Sequence, residues 1–166
     1  MILINDRGTP VWWRRAPDIP FNSTLLPDGA LAWGRWYEMP FGFESKGAWD
    51  VHRLDGSLVR TLRTVGTPTD MHDMQPLPNG NHLLVSCRFR DHVDLRPYGG
   101  HLDGAVWDGE IQEVDQAGVV VWAWNTKDHI PLSETRHWDL GRHPVLGKDV
   151  YDVSTSTRSS PTARGS

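Results

Sequence analysis

Short apolar runs alternate with turn residues along most of the chain, and the alternation repeats. "ILINDRGTPVWWRR" reads as an apolar strand, an Asx- and Gly-containing turn, and a Val- and Trp-rich strand; "LLPDGALAWGRW" follows, with a Leu-Pro-Asp-Gly turn before another apolar strand. The same order returns in "DVHRLDGSLVRTLR" and "PLPNGNHLLVSCRF", whose Pro-Asn-Gly turn at 78–80 lies 51 residues after Pro-Asp-Gly at 27–29. A third unit opens with "EIQEVDQAGVVVWAWN" and never reaches its second half. Asp, Asn and Gly tolerate the positive φ of tight turns, so each half-unit predicts a β-hairpin. No segment shows a convincing helical pattern. The expected class is all-β.

Hairpin pairs recurring about every 50 residues match four-stranded propeller blades, each of which buries its faces only against its neighbours. A sandwich of short strands is the alternative that composition leaves open. About two and a half blades fall short of a ring of roughly four to eight. The expectation is therefore one partial propeller over residues 1–153, taken from a larger one. A disordered Ser/Thr/Arg-rich tail, "STSTRSSPTARGS", is expected over 154–166.

A length of 166 residues suffices for one ordinary domain with a core. The net charge of −4, with Lys and Arg scattered, offers no basic field for a polyanion, so no nucleic acid is expected as a partner. One cysteine, Cys87, excludes an internal disulfide and a cysteine-rich zinc site; it reads as a buried strand thiol. "MILINDRGTPVWW" has no basic lead and no small-residue cleavage site, so no signal peptide is read, and nothing approaches the roughly 20 apolar residues of a membrane helix. Nine tryptophans are the compositional oddity; they read as packing between sheets, or as platforms for a flat ligand.

Three stretches hold candidate chemistry. In Asp70-Met71-His72-Asp73, just ahead of a predicted strand, an imidazole could serve as base, acid or nucleophile with a carboxylate fixing its tautomer. Neighbours in extended backbone alternate faces, so Asp70 is the carboxylate on the side of His72. The bland alternative is a structural hydrogen-bonding role. Residues 88–113 read as an insertion between blades, a loop holding Arg88, Arg90, His92, Arg96 and His101. Its arginine forks suit sulfate or phosphate, and a solvated loop of mixed charge is the competing reading. His92 and Asp94 have no further ligand at a diagnostic spacing, so no metal site is expected. In "WNTKDHIPLSETRHWD", Asp128 and His129 follow a buried strand, where His129 could simply cap the strand end. Asn22-Ser23-Thr24 matches the glycosylation sequon, which is too common to carry weight. Asp70 and Asp73 as a glycosidase pair sit too close in sequence to flank a glycosidic bond.

Together, "TDMHDMQPLPNGNHLLVSCR" and "DLRPYGGHLDGAVWDGEIQEVDQAGVVVWAWNTKDHIPLSET" resemble the arylsulfotransferase family, the PAPS-independent aryl-sulfate sulfotransferases. The shared features are an Asp-x-His-[Asp/Glu] before a Pro-Asx-Gly hairpin, a Gly-Gly loop, a Gln-Glu-Val-Asp strand pair with a distal Trp, and an Asp-His-Ile element. The likeness spans roughly residues 1–152. It implies a six-bladed β-propeller that moves a sulfuryl group from a phenolic sulfate ester to another phenol through a transiently sulfated histidine. No cofactor is implied, and the partners are a small aryl sulfate and a phenol. By position, His72 corresponds to a funnel histidine and His129 to the Asp-His element, the two catalytic candidates. Arg88, Asp70 and Asp73 are the expected substrate-binding residues. After "DVYDV" at 149–153 the family's His-x-Asn-Ser motif is replaced by "STSTRSS", so the sulfated histidine is expected to be missing and the chain to be inactive alone. A non-catalytic propeller fragment that binds or self-associates through open blade edges is the second expectation.

Overall fold

The structure, a computed structural model, describes residues 1–16, 19–36, 47–136, 142–145 and 148–153. The tail expected to be disordered lies outside the described residues. Among those described, the fold is all-β: three sheets, three short 3-10 turns and no α-helix. The strands are β1 (Ile2–Ile4), β2 (Pro10–Trp13), β3 (Ile19–Leu25), β4 (Leu31–Trp36), β5 (Ala48–His52), β6 (Leu58–Leu62), β7 (Thr69–Pro76), β8 (His82–Val93), β9 (Gly104–Val114), β10 (Val120–Asn125), β11 (Arg142–Val145) and β12 (Lys148–Asp152).

The five predicted hairpins all form, and they close in one way. At β3–β4 the Gly29 N–H donates to the Leu26 carbonyl at 2.9 Å and the Leu26 N–H to the Ala30 carbonyl at 2.8 Å; at β7–β8, Gly80 and Leu77 repeat both bonds. This is a three-residue loop ending in a left-handed residue, which only glycine adopts without strain; φ is +79° at Gly29 and +85° at Gly80. The Asx residue inside each turn adds a bond that a backbone turn lacks. Asp28 Oδ1 accepts from the Ala30 N–H at 3.1 Å and Asn79 Oδ1 from the Asn81 N–H at 3.0 Å.

The chain divides into two compact units: residues 1–88 with 110–125, and residues 89–109 with 126 onward. In the first, β3-β4-β5-β6 form a four-stranded antiparallel meander, β1-β2 a separate hairpin, and β7 through β10 pair in chain order. Each four-stranded set therefore joins the second half of one sequence unit to the first half of the next. Periodicity reveals the length of a repeat but not its phase, since pairing is decided by which strand edges meet. In the second unit β11 pairs antiparallel with β12, which pairs in parallel with residues 105–107 of β9.

The first unit's core is Leu26, Ala30, Ala32, Trp49, Val51, Met74, Leu84 and Val114. Every residue of β5, from Ala48 to His52, is buried, as are Leu31, Ala32 and Trp33 of β4. Burial of both faces is unusual for an antiparallel sheet with a solvent side. One face is apolar, with Trp49 and Val51. The other holds polar groups: Asp50 accepts from Thr61 Oγ1 at 2.7 Å and lies 3.2 Å from Arg35 Nε, while His52 places Nδ1 3.1 Å from the Gly56 carbonyl and stacks its ring on Trp33 at 4.2 Å. Trp33 and Trp49 thus fill the interior, as the packing role of tryptophan predicts.

Residues 88–113 correct the sequence reading: they are two long strands, not a looped insertion, with only the 3-10 turn Arg96–Tyr98 and its flanks between them. Charged residues alternating along both strands mimic a solvated loop in sequence. In the fold they face each other across the pair and neutralise one another.

Candidate functional site

β7 and β8 are in register at Thr69–Ser86 and again at Met74–Leu84, so five steps along β7 cover the length of two along β8. The excess is taken up by a bulge made of Asp70-Met71-His72-Asp73. The candidate motif therefore lies inside a strand rather than ahead of it, and bulges of this kind re-aim side chains.

Within the bulge, Asp70 Oδ1 accepts from both the His72 backbone N–H and the His72 ring Nδ1, each at 2.6 Å. Asp70 is buried, at 7 % exposure, and His72 is exposed. The expected pairing of the two is present, through a curled-back Asx turn rather than face alternation in extended backbone. The Asp70 hydrogen bond raises the His72 pKa above 6.5, outweighing the opposing effect of burial. With Nδ1–H donated to the carboxylate, the neutral ring carries its lone pair at Nε2, the tautomer required of a base or nucleophile.

Surrounding residues fix this geometry. Trp49 Nε1 donates to the Asp70 carbonyl at 3.1 Å, and Cys87 Sγ lies 3.9 Å from Asp70 Oδ2. Cys87 is half-buried on β8, less enclosed than expected. Phe21 and His72 form a T-shaped ring pair with centroids 5.2 Å apart, and Asn22 Nδ2 donates to the His72 carbonyl. Asn22 has φ +40° and sits in a one-residue bulge of β3. Asn and Asp are the non-glycine residues that best tolerate this conformation. β4 passes so close behind that a Cβ on Gly34 would lie 2.7 Å from the Met71 Cβ and 2.8 Å from its carbonyl oxygen.

Sequence reasoning missed Phe21 and Asn22, although a signal existed. They stand eight and seven residues before Gly29, as His72 and Asp73 stand before Gly80. Structurally equivalent positions in two repeats thus meet.

The remaining candidates fall elsewhere. Asp73 is exposed, and its Oδ1 accepts from the Met74 N–H at 2.9 Å. Arg88 Nη2 is 3.1 Å from Glu110 Oε1, so this guanidinium already holds a carboxylate. In the second unit Arg90 grips Asp108 through two bonds of 2.7 and 2.8 Å, and Arg96 grips Asp94, whose pKa it pulls down to about 2. These forks bind the protein's own carboxylates. His129 belongs to the second unit, exposed after the 3-10 turn Thr126–Asp128, with its N–H on the Thr126 carbonyl at 3.1 Å. His101 is exposed as well. His92 pairs with Asp103 at 2.8 Å and lies near Asp91; the three present ligand atoms within 4.8 Å of one another, whereas Asp94 is held by Arg96.

No protein-family model matches the chain, and searches of curated proteins and of solved structures return no match.

Proposed function

We propose that the chain is part of an arylsulfotransferase-type β-propeller and that His72 is the proton-handling histidine of its site. The observation that carries this reading is the His72–Asp70 hydrogen bond at 2.6 Å inside a bulge longer than the one-residue bulge of the first repeat. As an imidazolium, His72 gives its proton to the phenolic oxygen as the sulfur–oxygen bond of the donor breaks. As the neutral base, it takes a proton from the accepting phenol when that oxygen attacks sulfur. The transferred sulfuryl group rests meanwhile on the family's sulfated histidine, for which residues 1–153 offer no counterpart by resemblance, so turnover is expected of a completed propeller. The blade reading draws support from the four-stranded meander and from the two buried faces of β4 and β5. The test is sulfuryl transfer from 4-nitrophenyl sulfate to phenol by this chain joined to further blades of an arylsulfotransferase-family propeller. His72→Ala should lower turnover roughly a hundredfold; unchanged turnover would reject the assignment.

One observation favours a second reading, assembly without catalysis. Ile2, Ile4, Val11 and Trp13 are 62–75 % exposed on the β1–β2 hairpin, a patch that soluble surfaces seldom leave uncovered. Size-exclusion chromatography with light scattering separates the readings: association of the bare chain, abolished by Trp13→Lys, supports assembly, whereas a monomer removes it.

A further inference from the structure

The first unit holds a cavity of about 250 Å³ lined by both Leu-Pro-Asx-Gly turns, distinct in its residues from the His72 bulge. Pro27, Pro76 and Pro78 supply rigid apolar walls, and Arg60 and His82 join the lining. His82, only 4 % exposed, lines the cavity with its imidazole. Arg60 is exposed, and no described residue bonds or ion-pairs with it. This distinguishes it from Arg88, Arg90 and Arg96, each of which holds a carboxylate.

We propose that this cavity binds a small aromatic monocarboxylate, its carboxylate on the Arg60 fork and its ring between the prolines, beside the His82 imidazole. The guanidinium fork matches a planar carboxylate, and proline rings offer flat apolar surface to an arene. Asp28 also lines the cavity, with Oδ1 committed to the Ala30 N–H. Its negative charge limits the ligand to a single anionic group. Burial, reinforced by the charge of Arg60 and opposed by that of Asp28, depresses the His82 pKa below 6.5, so at pH 7 the ring is neutral and adds no charge of its own. The volume admits one ring and excludes drug-sized ligands.

The experiment uses the full chain at pH 7 with benzoate as the probe, followed by the histidine ring resonances in nitrogen-15 NMR. Benzoate should shift the His82 resonances saturably, with a dissociation constant on the order of millimolar for so few atoms. Arg60→Gln, a surface substitution, should weaken this about tenfold while leaving the thermal midpoint in place. Benzylamine, of the same shape and opposite charge, should not compete. Absence of a saturable His82 shift, equal affinity in Arg60→Gln, or competition by benzylamine would each overturn the proposal.

Discussion

The strands leading into the two Leu-Pro-Asx-Gly turns, β3 and β7, invite direct comparison. Their turns close with the same two backbone bonds and the same Asx contact. The strands ahead of them diverge: β3 carries a one-residue bulge at Asn22, and β7 a longer one that turns His72 back onto a buried Asp70. The turn sets register and must be kept if the sheet is to pair, whereas the bulge lies where an extra residue costs local pairing only. The His72–Asp70 pair stands at the position where the fold tolerates insertion.

The largest effect should come from closing the gap behind the longer bulge. Gly34→Val puts a branched side chain where even a Cβ meets Met71 backbone, so it should destabilise the protein by about 3 kcal/mol and displace His72 from Asp70. Denaturant unfolding and the His72 titration read the two consequences; a native-like His72 pKa in the variant would show that β4 does not hold the bulge. Next comes Trp49→Phe, which strips the Asp70 carbonyl of its buried donor and leaves a small cavity, at a cost of about 2 kcal/mol by the same measurement. The turns themselves should respond alike. Gly29→Ala and Gly80→Ala each force a side chain into the left-handed region and should cost about 1 kcal/mol apiece. A large difference between them would mean that the turns are not equivalent.

Much of this architecture was readable from residues, and the failures share a cause. Asp55-Gly56 and Pro78-Asn79-Gly80 announce hairpins because turn chemistry is local. The pairing of His72 with Asp70 was likewise readable, both partners lying two residues apart. What sequence did not convey was which distant edges join: the sheets draw strands across the apparent repeat boundary, and Arg88 with Glu110 or Arg90 with Asp108 form cross-strand pairs where the charges suggested a loop. Phe21 and Asn22 reach His72 only through the meeting of β3 with β7, about 50 residues apart in the chain. His82 was hidden for the opposite reason, as nothing in "NGNHLLV" marks its imidazole as buried.

The smallest effect bears on two histidines with opposite shifts. His72 has a folded pKa above 6.5, so its contribution to stability is fully present below pH 6.5 and fades as pH rises through the raised value. His82 has a folded pKa below 6.5, so its contribution is present above 6.5 and is lost as pH falls through the depressed value. Together they place a shallow maximum of stability near pH 6.5, with a separate residue responsible for each flank. Asp70→Asn keeps an oxygen to accept the Nδ1–H but removes the charge that favours the imidazolium. It should flatten the alkaline flank, lower the His72 pKa toward 6.5, and leave the acidic flank unchanged. Unfolding midpoints from pH 5 to 9, with proton NMR titration of both rings, read these flanks independently. If Asp70→Asn left the His72 pKa where it was, the bulge would be reduced to a packing device, and β3 and β7 would differ in length without differing in chemistry.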